Sequence, residues 1–267
     1  MVSIGTRCIS ILACLVGLAG FANHSAAETE VDLALVLAVD ISNSMDREEQ
    51  ELQRSGFVEA FRSPAVHEAI EGGALGRIAV IYLEWAGTAY QSIVVPWTII
   101  EDAESAGHFT DRLAEAPIRR GPRTSIAGAI DFAMRMLDES GVTPLRRVID
   151  VSGDGPNNQG RSVTEARDEA LGKGITINGL PIMLKRPAGY WDLENLDRYY
   201  RDCVIGGVGA FLIPVRERSQ FAEAIRSKII REIASREPEP SIRKVQAEAR
   251  AECNSAPRWN WDSREYR

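Results

Sequence analysis

Val31 to Val39 (VDLALVLAV) is an almost unbroken apolar run that leads straight into Asp40-Ile41-Ser42-Asn43-Ser44. A run so rich in Val and Leu reads as a strand buried on both faces, as in a parallel sheet covered by helices on each side. An acidic, helix-prone segment, Met45 to Phe61, follows. One carboxylate and two hydroxyls therefore sit between the carboxyl end of a buried strand and the start of a helix, where open α/β sheets place ligands. Asp40, Ser42 and Ser44 alternate, so an extended loop can point all three oxygens one way. Such hard oxygen donors suit Mg²⁺ or Ca²⁺ rather than Zn²⁺. With only one charge among them, a bound cation would stay electron-poor and welcome an outside carboxylate. A plainer role fits the same residues: Ser42 or Ser44 capping the helix, with Asp40 favouring its dipole.

Strands and helices alternate along the rest of the chain. The helix over 45–62 carries Leu52, Gly56, Phe57, Ala60 and Phe61 on one face, with Pro64 beyond its end. Arg77 to Trp85 reads as a second buried strand. A short turn at Ala86-Gly87-Thr88 sends Ala89 to Val95 back as an antiparallel third strand, with Pro96 at its edge. A helix over 103–114 precedes the loop Pro117 to Arg123, and Thr124-Ser125 opens a helix striped by Ile126, Ile130, Met134 and Leu137. Arg147 to Ser152 is a fourth strand ending in Gly153-Asp154-Gly155. A helix over 162–171, a strand over 175–184, a helix over 193–202, a strand over 210–215 and a helix over 221–233 complete the pattern. This order predicts an α/β fold: a doubly wound, mostly parallel six-stranded sheet with one antiparallel edge strand and helices on both faces.

Residues 1–27 read as a secretory signal, with Arg7 ahead of an apolar stretch and a small-residue exit at Ser25-Ala26-Ala27. The expected product is exported, periplasmic or secreted. Residues 28–236 form the domain, and 237–267 a linker and tail, opening on the stiff Glu237-Pro238-Glu239-Pro240 and ending with Trp259, Trp261 and Tyr266. Beyond the signal only Cys203 and Cys253 remain, which an oxidising compartment would allow to pair, pinning the tail to the domain; two unpaired thiols are the alternative. They are too few for a zinc site. A net charge of −7 with no basic stripe argues against nucleic acid. No second long apolar span suggests stable membrane insertion of the mature chain.

Three oxygen-bearing loops remain: Asp40, Ser42 and Ser44 after the first strand, Thr124 at a helix start, and Asp154 after the fourth strand. Thr124 equally suits a helix cap and Asp154 a turn. If the first and fourth strands are neighbours, all five share one rim of the sheet.

In these residues the chain resembles a von Willebrand factor type A domain with a metal-ion-dependent adhesion site. The D-x-S-x-S of that family matches Asp40, Ser42 and Ser44; its threonine matches Thr124, and its later aspartate matches Asp154. The resemblance runs over about Val31 to Ala234. Phrases such as Tyr82-Leu83-Glu84-Trp85-Ala86-Gly87 and Ser152-Gly153-Asp154-Gly155 are similar to an exported bacterial subgroup, domain of unknown function 1194, which carries no assigned activity. The resemblance implies a binding module in which Mg²⁺, or Mn²⁺ or Ca²⁺, is held by these five residues while a partner protein's Asp or Glu completes the shell. Arg119, Arg120 and Arg123 before Thr124 would steer an acidic partner, and Trp85 would be a further rim contact; a solvated loop and core packing account for them equally.

A Mg²⁺-dependent phosphohydrolase is the alternative, since such enzymes also place an aspartate after a buried first strand. Their general acid two residues on is here Ser42, which cannot serve. No G-x-S-x-G suggests a serine hydrolase, and no glycine fingerprint a dinucleotide site. A metal-free scaffold of the same fold is the third reading. No catalysis is expected.

Overall fold

The computed structural model describes residues 28–185, 193, 195–234 and 251–253. The expected signal, linker and aromatic tail lie outside them. Five strands, β1 (Thr29–Asp40), β2 (Ile78–Trp85), β3 (Gln91–Ile100), β4 (Val142–Gly153) and β5 (Ile175–Pro181), form one sheet. Its order is β3-β2-β1-β4-β5, parallel throughout except for the antiparallel β2–β3 pair. The strand order reverses between β1 and β4, so the crevice beyond their carboxyl ends is the position where such sheets bind ligands.

Period two sorts β1 between two cores. Leu33, Leu35, Leu37 and Val39 pack with α1 (Arg47–Arg62), α2 (Pro64–Glu71), α3 (Ala103–Glu115) and α7 (Phe221–Ala234). Ala34, Val36 and Ala38 face α4 (Ile126–Asp138), α5 (Val163–Gly172) and α6 (Leu196–Tyr199). Phe57 meets Tyr82 edge-on at 5.5 Å on the first side. Each such fully buried aromatic contributes roughly 1.5–3 kcal/mol by burial. Among the described residues no helix is long and apolar enough to cross a membrane.

Three local expectations are corrected. The run 210–215 is not a sixth strand: it touches the sheet only through isolated bridges, Gly179 with Leu212 and Ile182 with Val215. Pro181 has no N–H to donate toward Ile213, which interrupts the ladder, while Ile213 and Val215 N–H still donate to the Gly179 and Pro181 carbonyls. Strand β3 does not stop at Val95 but passes Pro96 to Ile100, and the pairing with β2 shifts register there. An edge strand tolerates proline because its outward N–H has no ladder partner. Pro64 lies just beyond the end of α1, as expected, and also occupies the first turn of the short helix α2 behind the cap Ser63. The helix expected over 193–202 is α6 followed by a π-turn, Tyr200–Val204, closed by Ile205 N–H donating to the Tyr200 carbonyl at 2.9 Å.

Candidate metal centre

Capping decides which hydroxyls are free to act as ligands. Helix α1 is capped by Asp46, whose carboxylate accepts from Glu49 N–H while the Glu49 side chain accepts from Asp46 N–H. Helix α4 is capped by Ser125, whose hydroxyl oxygen accepts from Gly128 N–H. Ser42, Ser44 and Thr124 cap nothing, so their oxygens are left for another task.

Asp40 ends β1 with no exposure. Its Oδ1 accepts from Ser42 N–H at 2.6 Å, which curls the loop back over the strand end. Ser42 Oγ and Ser44 Oγ are 2.8 Å apart, and Ser44 Oγ donates to Asp154 Oδ1 at 2.6 Å. Strand β4 lies against β1 with Ser152 opposite Val39, which carries Asp154 to the same rim. Thr124 stands beside this loop, its Oγ1 3.9 Å from where a Gly155 Cβ would be. Thr124 is 5% exposed, whereas Ser44 is exposed, so the cluster has a buried floor and an open top. The fold thus links Asp40, Ser42, Ser44 and Asp154 in one cluster, with Thr124 beside Gly155 at its edge.

The electrostatics of this cluster fit a cation. Burial, then the neighbouring Asp154 charge, push the Asp40 carboxyl well above the usual range. Burial pushes Asp154 up to about 6, against the Ser44 hydrogen bond and Lys185. Two carboxylates held together out of water repel one another, and a bound cation would relieve both effects. Asp40 Oδ2 is buried without a hydrogen-bond partner. The donors are all oxygens, two carboxylates and three hydroxyls, which is the chemistry a hard divalent ion prefers.

The arginine loop abuts the site. Gly121 bridges Ser42 in parallel, and Arg120 donates to the Asn43 carbonyl at 2.5 Å. Arg119, Arg120 and Arg123 are all exposed. Arg123 takes φ 70°, a left-handed conformation that costs an L-residue about 1–2 kcal/mol and turns the chain into Thr124. Trp85 is not at the rim: at 1% exposure it packs in the core with Leu83 and Ile81, because β2 is covered on both faces where it ends.

Several residues around the centre carry no motif. Asn158 Oδ1 accepts from Thr124 N–H, and Asn158 N–H donates back to the Thr124 carbonyl. Asn157 Oδ1 accepts from Ala127 N–H in the first turn of α4, and Asn157 N–H donates to the Tyr199 hydroxyl. Lys185 Nζ donates to the Ser44 carbonyl at 2.6 Å and pairs with Glu49. The paired asparagines after Asp154 were the only visible signal; Lys185 and the tyrosines had none. Cys203, in the π-turn, is bonded to Cys253 with the Cα atoms 5.4 Å apart.

The family described as Protein of unknown function (DUF1194) matches residues 30–237. The chain belongs to that family. No curated protein matches the sequence. Among solved structures it is similar to proximal thread matrix protein 1 from the mussel byssus, described with a zinc-occupied metal-ion-dependent adhesion site, at 13% identity and a TM-score of 0.57 over 78% of this chain and 50% of that one. The pilus adhesin SpaC from Lactobacillus rhamnosus GG matches at 14% identity and 0.57, over 76% of this chain and 30% of the adhesin. A von Willebrand factor type A protein from Catenulispora acidiphila matches at 17% and 0.52, over 76% and 43%. The DUF1194 chain thus has the von Willebrand factor type A fold and spans half or less of each of these proteins.

Proposed function

We propose that this DUF1194 protein is an exported, divalent-cation-dependent protein-binding module without catalysis of its own. The observation that carries the reading is the grouping, near the switch point of the sheet, of two carboxylates and three hydroxyls that cap no helix, with both helix starts capped by other residues. Asp40, Ser42, Ser44, Thr124 and Asp154 would hold Mg²⁺, or Mn²⁺ or Ca²⁺. When bound, the ion would supply a Lewis-acidic position for an Asp or Glu of a partner protein. Asp40 and Asp154 hold the charge of the site, Ser42 N–H fixes one Asp40 oxygen, and Asn157 and Asn158 hold the Thr124 loop. Arg119, Arg120 and Arg123 give the rim a positive edge that would speed encounter with an acidic surface. The zinc-occupied site of the mussel protein and the adhesive role named for the pilus protein support the reading by fold.

Titration of Mg²⁺ or Mn²⁺ into the full chain by calorimetry, repeated with Asp40→Ala, tests it. Wild type is expected to bind and the variant to lose binding; equal affinity removes the site. A pull-down with wild type against Asp40→Ala, with and without EDTA, then asks whether partner capture follows the metal. Turnover of generic phosphoesters that depends on Asp40 would replace the binding reading with a phosphohydrolase.

A further inference from the structure

Tyr200 lies in the π-turn, fully buried, with its ring laid across the sheet toward the base of the metal loop. Two glycines open its path. A Cβ at Gly179 on β5 would meet Tyr200 Cδ1 at 2.8 Å. A Cβ at Gly153 on β4 would meet the Tyr200 hydroxyl at 3.0 Å and Asp40 Oδ2 at 2.8 Å. The phenol and the carboxylate oxygen thus flank the same point, beneath the loop that carries Ser42 and Ser44. Both oxygens are buried and neither makes a hydrogen bond of normal geometry, although the Asp154 N–H also acts on the Asp40 carboxylate. Orphaned buried polar atoms are rare, and here two complementary ones border the same point beside Gly153. A phenol can donate, and a carboxylate oxygen accepts.

We propose that Tyr200 is a positioning residue of the centre, its O–H serving as the donor that fixes Asp40 Oδ2 when the site is charged with a cation. This rests on the metal reading above. Ser42 N–H already holds Oδ1, so a donor on Oδ2 would fix the carboxylate from both sides. An O–H···O⁻ bond to an ionised carboxylate is short and strong, whereas a bond to a protonated one is ordinary. The backbone supports the role. A π-turn changes the direction of a side chain that an α-helix would aim elsewhere, and such turns gather at functional sites. Here the turn is tied down by the Cys203–Cys253 bond three residues on. Its preceding residue, Tyr199, reaches the same centre through Asn157.

The test is Tyr200→Phe in the full chain, titrated with Mn²⁺ by calorimetry beside wild type and Asp40→Ala, with thermal melts in EDTA. Loss of an outer partner of a metal ligand typically weakens metal affinity roughly 10- to 100-fold. The expected result is a loss in that range with metal-free stability unchanged or raised, because the variant removes only an unpartnered hydroxyl. A structural role would lower both together, and that result overturns the inference. Unchanged Mn²⁺ affinity in Tyr200→Phe overturns it while leaving the metal reading intact. A variant that fails to fold overturns it too, since a partnerless hydroxyl cannot be what holds the metal-free chain. If wild type and Asp40→Ala bind Mn²⁺ alike, the metal reading falls and takes this inference with it.

Discussion

Lys228 offers the sharpest test of the physical reasoning, because it is a cation inside the core. On α7 it is 1% exposed. Its Nζ lies 2.9 Å from Asp150 Oδ1 and 2.5 Å from Glu232 Oε1. Glu232 Oε2 accepts from Asn178 Nδ2 at 2.6 Å, and the Phe211 ring sits 4.8 Å from the ammonium. Replacing Lys228 by Met leaves two buried carboxylates without their cation. Removing one partner of a buried ion pair costs roughly 3–5 kcal/mol, since the charge left behind has neither water nor a counter-ion. For a domain of this size, about 2–4 °C per kcal/mol converts this to a fall in Tm of roughly 6–20 °C.

The pH dependence sharpens the test. Burial, opposed by Lys228 and reinforced by Glu232, pushes Asp150 up to about 7. Between the ordinary aspartate value and that one, the folded chain holds a proton that the unfolded chain has released. Stability from this group therefore falls as pH rises through the window. Lys228 is pushed up by Asp150 and Glu232 in spite of its burial, so its contribution is constant there. Lys228→Met should widen the window upward, with the deficit against wild type larger at pH 8 than at pH 5.5. Urea unfolding in EDTA at both pH values, with the disulfide intact, measures this. The triple variant Asp150→Val/Lys228→Met/Glu232→Gln, which removes all three charges and keeps an acceptor for Asn178, should return near wild type with a flatter pH profile. A Lys228→Met chain within about 0.5 kcal/mol of wild type at pH 8, the size of an ordinary surface change, would refute the reasoning, as would a deficit that ignores pH.

Two further outcomes follow from local geometry. The Cys203–Cys253 link spans a sequence separation of 50, for which chain entropy gives about 4 kcal/mol. Cys203→Ser/Cys253→Ser should lose a comparable amount by urea unfolding, and unreduced peptide mass spectrometry should find the pair linked; two free thiols would remove it. Ser125→Ala deletes the cap of α4 and the bond that Ser125 Oγ donates to the Gln159 carbonyl. A loss of about 1 kcal/mol is expected, read as a small fall in Tm, and an unchanged Tm would show that the cap is idle.

The first strand and its loop were legible because burial on both faces demands a continuous apolar run, and ligand-bearing loops fall at predictable strand ends. The neighbourhood of β1 and β4, needed to join Asp154 to Asp40, was a condition suggested by doubly wound order, and the parallel pairing of the two strands meets it. Other features have no local signature. Whether Thr124 or Ser125 caps α4 depends on one residue of phase, and only the three-dimensional path through Arg123 decides it. The 210–215 run has strand composition, yet Pro181 on the facing strand has no N–H to donate and breaks the ladder. Trp85 at a strand end looks like a rim residue until the second face is seen to be covered. Lys185 and Tyr200 reach the centre from segments more than 100 residues from Ser44 and Asp40, and no spacing along the chain encodes that meeting.

The small side chains on one face of β1 have a mechanical meaning. Ala34, Val36 and Ala38 let α4 settle close against the strand, and α4 begins one residue after Ser125 and two after Thr124. The packing of α4 on these small side chains therefore joins the Asn157–Asn158 loop in setting where Thr124 stands relative to β1. Enlarging Ala38 to Val would lift the front of α4 and open the mouth. Under the proposed metal reading, the spacing of the centre becomes a quantity that can be altered without touching a single oxygen donor.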